Sequence, residues 1–173
     1  MNAIISKRLA MTLANLNDLP ELEIIEKECD EYFSFDPPCE ENHSCPIIEC
    51  ITTGDIPPGG KKENYFLYCI RQNNILIGFT AFYLEYQRKD IAYLSVIYIK
   101  EEYRKNGMGS EILIALYDKL SSVSIKEIRT HVSLRNAKWE HENFITAVPT
   151  IFVDDRIFPF EFEDLECILK EPK

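Results

Sequence analysis

A basic turn with two closely spaced glycines has the clearest chemical meaning in this sequence. It consists of Arg104, Lys105, Asn106, Gly107, Met108, Gly109 and Ser110. Glycines let a backbone approach an anion closely and adopt positive φ angles. A helix that begins at such a turn adds unpaired N–H donors and the positive end of its dipole. The turn therefore predicts a phosphate site, with an ordinary basic loop before a helix as the alternative.

The flanking segments place this turn between a strand and a helix. Residues 91–99 are rich in β-branched and aromatic side chains, which predicts a largely buried strand. Downstream, leucine and isoleucine recur at helical spacing and predict a helix from about Gly107 to Ser121. The Gly-Lys-Ser ending of nucleotide triphosphatases and the Gly-x-Gly-x-x-Gly order of dinucleotide folds are both missing from this turn. Neither of those phosphate-binding classes is indicated.

In this context the turn resembles the acetyl-coenzyme A signature of the GNAT N-acetyltransferase superfamily. In that signature a strand ends in Val-x-x-x-Tyr-Arg-x-x-Gly-x-Gly before a helix. Ile99 occupies the Val position here, and Tyr103 and Arg104 match. The resemblance implies an α/β (α+β) GNAT fold, with a mixed, mostly antiparallel sheet of about six to seven strands. It also implies helices on both faces, a splay between the fourth and fifth strands, and acetyl-coenzyme A as the cosubstrate.

The same resemblance implies which groups hold the coenzyme. Backbone groups of Ile97, Tyr98 and Ile99, freed by the splay, would bind the pantetheine arm. The N–H groups of residues 104–109 would bind the pyrophosphate. Asn136 stands where the family has an Asn after its fifth strand, here predicted at 127–134, and would contact the pantetheine. Capping of the next helix is an equally good explanation of Asn136.

The chain departs from the family at the general acid. When Phe144 is aligned with the family's Phe, Trp139 falls on the Tyr that usually protonates the departing thiolate. Indole has no acidic proton in the required range. The family's acid is therefore not carried over to this chain. A catalytically weak or inactive acyl-coenzyme A-binding or sensing module is accordingly the second hypothesis, and an α/β domain that binds no coenzyme is the third.

The general base is not fixed by the sequence either. Attack on a thioester requires a neutral amine, and deprotonation at pH 7 costs about 4.6 kcal/mol for a lysine-like amine but only about 1.4 kcal/mol for an α-amino group. The catalytic candidates are His131, Glu85 and Tyr98. His131 has the appropriate intrinsic pKa and lies on the strand before Asn136. A hydrogen-bonded strand histidine and a solvated hairpin glutamate are the structural alternatives.

Length and composition limit the kinds of partner that this chain is expected to bind. The chain of 173 residues predicts a single domain over 1–173, and its net charge of −10 disfavours nucleic acid and anionic membrane surfaces while it favours amines. We expect a small-molecule or peptide amine as acceptor, a cytoplasmic location, and no membrane span. The cysteines and His43 fit no standard zinc module, so we expect no metal site and no disulfides. The oligomeric state is open, a homodimer included.

The remaining segments give the predicted order of elements. Residues 4–13 predict one strand interrupted by Lys7 and Arg8, followed by a helix with Asn17 as its N-cap. A long segment, 32–60, predicts one short helix near 45–51. The later predicted elements are a hairpin of 65–71 with 75–86, a short helix opened by Asn136, and a closing hairpin of 149–153 with 157–162.

Overall fold

One mixed sheet with helices against both of its faces is the framework of this protein. The computed structural model describes residues 3–33, 46–133, 144–150 and 164–169. The strands are β1 (Ile4–Ile5), β2 (Ala10–Leu13), β3 (Tyr65–Gln72), β4 (Ile75–Leu84), β5 (Ile91–Ile99), β6 (Glu127–Ser133), β7 (Phe144–Thr150) and β8 (Asp164–Leu169). The helices are α1 (Leu19–Phe33), α2 (Ile47–Thr52) and α3 (Met108–Ser121).

The strands are arranged in the order β1-β2-β3-β4-β5-β6-β8-β7. Every neighbouring pair is antiparallel except β5 and β6, which run parallel because α3 lies between them in the chain. The predicted fold class, a mixed and mostly antiparallel sheet, is confirmed. Within the described residues the sheet has eight strands instead of six or seven, because the first predicted strand is divided in two.

The two faces of the sheet carry separate apolar cores. On one face α3 packs its predicted apolar stripe against the sheet, with Ile112, Leu113, Leu116 and Leu120 all buried. On the other face α1 and α2 pack through Leu22, Ile25, Ile47 and Cys50. Alternate residues of a strand point to opposite faces, so consecutive residues of β5 belong to different cores. Ile99 faces α3 and Tyr98 faces α1.

The predicted first strand is wrong as a single element. The chain reverses between β1 and β2, where Ser6 N–H donates to the Leu9 carbonyl (2.9 Å) and Leu9 N–H donates to Ser6 Oγ (3.1 Å). Lys7 and Arg8 form the exposed tip of this turn. What reads in the sequence as an interruption of a strand is therefore a reversal, and β1 pairs with β2 as a short hairpin.

The cap of the first helical segment also differs from the prediction. Asn15, not Asn17, occupies the N-cap position of a 3₁₀ turn, Leu16–Asp18, that leads into α1. Its side chain accepts from Asn17 N–H (3.0 Å), while Asp18 accepts from Asn15 N–H (3.0 Å). This reciprocal pair is a capping box. The capping residue lies two positions earlier because Leu16–Asp18 is itself helical.

The last two described strands, β7 and β8, form an antiparallel pair with Thr150 opposite Asp164. The predicted strand 149–153 overlaps β7 at Pro149 and Thr150, and its remainder and the predicted strand 157–162 lie outside the described residues. The predicted short helix after Asn136 lies outside the described residues. In the described part of the chain, no helix has both the length and the apolar character needed to cross a membrane.

Candidate functional site

The parallel pair β5–β6 separates after a short shared segment. Its paired residues end at Tyr93 opposite Arg129, and Thr130 Oγ1 makes one further contact, a hydrogen bond to the Leu94 carbonyl (2.8 Å). Beyond this point, among the residues that the structure describes, β5 continues to pair with β4 alone and β6 with β8. We call the gap between residues 95–99 of β5 and 131–133 of β6 the split. It is the splay predicted between the fourth and fifth strands, which are β5 and β6 here because the first predicted strand is divided in two.

The register shows which backbone groups of β5 face the split. Lys100 N–H donates to the Ile77 carbonyl of β4 (2.8 Å), and Tyr98 lies opposite Phe79. Because bonding directions alternate along an antiparallel ladder, the N–H and C=O groups of Ile97 and Ile99 point away from β4 and into the split. Those of Tyr98 point towards β4. The backbone groups of Ile97 and the N–H of Ile99 therefore face the split, and the Ile99 carbonyl accepts from Arg104 Nε (2.7 Å).

Charged side chains hold the closed end of the split, where β5 and β6 still pair. Arg88 bonds to Asp90 (3.0 Å) and to Glu127 (2.8 Å), and Arg129 bonds to Glu127 (2.8 Å). Hydrogen bonds from Arg88 lower the pKa of the Asp90 carboxyl, and those from Arg129 and then Arg88 lower the pKa of Glu127. The Asp90 carbonyl also accepts the N–H groups of Lys126 (2.8 Å) and Glu127 (3.2 Å). The strands are therefore anchored at this end and diverge towards Ile99.

The basic, glycine-spaced turn lies where the open end of the split meets α3. Lys105 has φ 62° and Gly107, the N-cap residue of α3, has φ 72°. The first intrahelical bond is Glu111 N–H to the Gly107 carbonyl (3.1 Å). Among the described residues, none accepts a hydrogen bond from the N–H groups of residues 105–109. Five consecutive N–H groups at a helix N-terminus form a site suited to an anion.

Arg104 joins the turn to the end of β5. Its Nε donates to the Ile99 carbonyl (2.7 Å), and its guanidinium lies 5.1 Å from the centre of the Tyr98 ring. The guanidinium thus binds one of the carbonyls that faces the split. Arg104, Ile99, Tyr98 and the turn form one contiguous group, which the structure assembles from predicted site residues.

The Tyr98 side chain is buried on the α1 face of the sheet. It is 3% exposed and stacks on Phe79 at 5.9 Å between ring centres. Burial, reinforced by Glu28 and Cys29 and opposed by Arg104, raises the pKa of the Tyr98 hydroxyl above its usual value. The hydroxyl therefore keeps its proton at neutral pH, and it is suited to donate a hydrogen bond more than to act as a base.

The other catalytic candidates lie at different places. The backbone of His131 is in β6 opposite Glu166 of β8, two residues after the last pair with β5 and so beside the split. Glu85 follows β4 at the closed end, where its φ is 59° and its carboxylate accepts from Asn64 Nδ2 at 3.5 Å. Asn136 and Trp139 lie outside the described residues. No cluster of three or more potential metal ligands occurs among the residues that the structure describes.

A cluster that the sequence interpretation missed supports the turn from the other side. Arg8, at the tip of the β1–β2 hairpin, donates from Nη1 and Nη2 to the Asn106 carbonyl (3.0 Å each). Its Nε and its backbone N–H donate to the Glu111 carboxylate (2.6 and 2.8 Å), and Ser6 Oγ donates to the same group (2.6 Å). We call Ser6, Arg8, Asn106 and Glu111 the hairpin clamp. No local pattern links residues so far apart in the chain.

The hairpin clamp predicts a pH-dependent contribution to stability. Partial burial raises the pKa of Glu111, but hydrogen bonds from Ser6 and Arg8 outweigh it, so the pKa lies below its usual value. A carboxylate of this kind stabilises the fold above its unfolded pKa of about 4.3, and the contribution disappears as pH falls through the folded pKa. Glu111→Gln should therefore lower the free energy of unfolding by about 1 kcal/mol at pH 7 and by progressively less below about pH 4. Urea unfolding at both pH values measures this, and a difference that does not shrink in acid would contradict it.

Comparisons with known proteins agree with this geometry. The chain matches the model of the acetyltransferase (GNAT) family over residues 22–139. No curated protein matches its sequence. Similar solved structures include an acetyltransferase from Thermus thermophilus (15% identity, 96% of this chain and 99% of that chain, TM-score 0.66). A second is the ribosomal L7/L12 alpha-N-protein acetyltransferase RimL with coenzyme A (15% identity, 97% of this chain and 97% of that chain, TM-score 0.70). A third is the spermidine N-acetyltransferase of Vibrio cholerae with coenzyme A and spermine (15% identity, 93% of this chain and 94% of that chain, TM-score 0.65).

Proposed function

Because this chain belongs to the GNAT acetyltransferase family, we propose that it transfers an acetyl group from acetyl-coenzyme A to an amine, directly, in a ternary complex. The observation that carries the proposal is the continuity between the split and the turn. Backbone groups of Ile97 and Ile99 face the split, and five N–H groups without acceptors among the described residues lie where the split opens. An extended arm with a pyrophosphate at its end fits both features.

The charge of the turn itself supports an anionic ligand. Residues 104–110 include Arg104 and Lys105 and no acidic residue, although the whole chain carries a net charge of −10. Glycine at position 107 leaves the turn open, because an added Cβ would meet only the Arg8 guanidinium at 3.9 Å. Residues 105–109 would hold the pyrophosphate through their N–H groups, and Ile97 and Ile99 would hold the pantetheine. Bound there, the coenzyme supplies an activated acetyl thioester.

We also propose roles for the candidate side chains. His131, in β6 beside the split, is the proposed base that takes the proton from the acceptor amine. Tyr98 keeps its proton because burial raises its pKa, so its proposed role is hydrogen-bond donation to the departing sulfur. Glu85 remains a candidate base only for an acceptor that reaches the closed end. Asn136 keeps its proposed contact with the pantetheine.

Two amine classes are the proposed acceptors. Among the similar structures, one acts on a protein α-amino group and one on spermidine, as their names state. The acidic chain attracts cationic amines of both kinds. An α-amino group needs about 3 kcal/mol less for deprotonation at pH 7 than a lysine-like amine, so it demands less of the base.

The alternative function is acyl-coenzyme A binding with weak or no catalysis, which the Trp139 departure favours. Two measurements distinguish the acetyltransferase from the sensing module. Isothermal titration with acetyl-coenzyme A measures binding, and a thiol-release assay with spermidine, lysine peptides and peptides with free α-amino groups measures transfer. Binding with thiol release supports the acetyltransferase. Binding without release for any amine supports the sensing module, and absence of binding overturns both.

Removal of the Arg104 side chain tests the assignment of the phosphates. Arg104→Ala should weaken the binding of coenzyme A by about tenfold, which is ~1.4 kcal/mol. It should weaken the binding of pantetheine much less, because phosphates are the proposed partners of the guanidinium. Isothermal titration with both ligands measures the difference. Equal losses would instead place Arg104 at the pantetheine arm, where the Ile99 carbonyl already holds its Nε.

A further inference from the structure

The contact between Arg8 and the Asn106 carbonyl determines the orientation of one peptide group in the turn. Asn106 C=O and Gly107 N–H belong to the same peptide, which is planar and trans, so the two groups point in opposite directions. Both Nη atoms of Arg8 bind that carbonyl at 3.0 Å from the hairpin side. The Gly107 N–H is therefore directed away from the hairpin, towards the side on which the proposed anion binds.

The orientation of this peptide depends on an external contact because Gly107 does not fix it. Rotation of the Asn106–Gly107 peptide changes ψ of Asn106 and φ of Gly107, and glycine adopts positive and negative φ angles about equally readily. The observed φ of 72° at Gly107 is therefore not selected by the residue itself, and without other contacts the peptide can rotate. The Arg8 guanidinium opposes such rotation through two hydrogen bonds to one oxygen. A cation on the carbonyl also polarises the amide and strengthens its N–H as a donor.

Arg8 is itself fixed by groups that the coenzyme would not touch. Glu111 accepts its Nε (2.6 Å) and its backbone N–H (2.8 Å), and Ser6 Oγ donates to the same carboxylate (2.6 Å). The Glu111 side chain is only 16% exposed, against 39% for Arg8. The Arg8 guanidinium thus bridges the Glu111 carboxylate on α3 and the Asn106 carbonyl in the turn. Lysine cannot reproduce this, since it lacks the planar fork of donors.

We propose that Arg8 is a positioning residue for the anion-binding turn, and that it acts on the coenzyme pyrophosphate through the Asn106–Gly107 peptide without contacting the ligand. This inference rests on the proposed function, because it assumes that the turn binds a pyrophosphate. It gives the β1–β2 hairpin a role in ligand binding that its distance from the split does not suggest. It also accounts for an arginine at the tip of that hairpin in an otherwise acidic chain.

The test uses two Arg8 variants and a neighbouring control in the full chain. Arg8→Gln removes the charge and the fork, and Arg8→Lys keeps the charge alone. Lys7→Gln removes the same charge one residue away, from an exposed side chain. Each protein is titrated with coenzyme A and with pantetheine. The ¹H–¹⁵N signal of Gly107 is followed without ligand and with added inorganic pyrophosphate, and a thermal melt confirms that each variant is folded.

Both Arg8 variants should weaken the binding of coenzyme A by about tenfold and change the affinity for pantetheine by less than about twofold. Both should also shift the Gly107 signal before any ligand is added. Lys7→Gln should change none of these. Arg8→Lys that binds as tightly as the unaltered protein would overturn the inference, because charge alone would then suffice. Equal effects of Lys7→Gln and Arg8→Gln would overturn it for the same reason. If the unaltered protein binds neither coenzyme A nor pyrophosphate, the proposed function fails, and the inference fails with it.

Discussion

Gly78→Ala should destabilise the protein by about 3 kcal/mol or more. Gly78 lies in β4 opposite Ile99, and a Cβ at this position would overlap the Tyr98 carbonyl oxygen and lie 3.1 Å from Ile99 Cα. The obstacles are backbone atoms of a central strand, so no side chain can rotate away. The two strands must separate at the residues that border the split. Urea unfolding monitored by circular dichroism measures the loss.

Gly59→Ala is the matched control for this substitution. Gly59 has φ 74°, and nothing lies within 4 Å of an added Cβ, so the cost there is limited to the left-handed backbone, about 1 kcal/mol. A Gly78→Ala protein as stable as Gly59→Ala would show that β4 and β5 are not in close contact at Tyr98. That result would also question the direction of the Ile99 groups.

Gly107→Val should weaken coenzyme A binding by at least about tenfold. An added Cβ would lie 3.9 Å from Arg8 Nη2, on the hairpin side of the turn, so the valine methyl groups would crowd the guanidinium that binds the Asn106 carbonyl. A β-branched residue is also strained at φ 72°. The turn would therefore rearrange, and the N–H groups of residues 105–109 would no longer converge on one anion. Isothermal titration with coenzyme A gives the affinity, and the melting temperature gives the cost in stability.

Gly59→Val separates these two effects. Gly59 and Gly107 have almost the same φ, 74° and 72°, and neither has a close neighbour that an added Cβ would clash with. Both variants should therefore lose similar stability, whereas only Gly107→Val should lose coenzyme binding. Similar affinities in the two folded variants would refute the assignment of the turn as the pyrophosphate site.

Local patterns in the sequence predicted the centre of this fold well. The strands β3 and β5 and the helix α3 begin and end close to their predicted positions, because each is a long apolar run bounded by a turn. The turn between β5 and α3 was identified from its glycines. The divergence of β5 from β6 was expected only through the family resemblance, since no short segment encodes where two distant strands stop pairing.

The errors have a common physical origin in contacts between distant or very short segments. β1 has two residues, too few for a periodic pattern, so the sequence predicts one strand where the structure has a hairpin. The sequence presents Arg8 as an interruption of that strand because its partner Glu111 is separated from it by 103 positions. The cap at Asn15 was missed because a 3₁₀ turn precedes α1, and Asn17 lies within that turn.

The split has a consequence for self-association. An unpaired strand edge is normally a template on which other chains add strands, and proteins protect such edges with charges, bulges or coverings. Here the backbone groups of Ile97 and Ile99 that face the split lie on a strand in the middle of the sheet, between β4 and β6. Both neighbours of β5 belong to the same sheet, so a strand from another chain meets no outer edge there. The proposed ligand would therefore use the hydrogen-bonding capacity of a strand edge that the protein does not expose to aggregation.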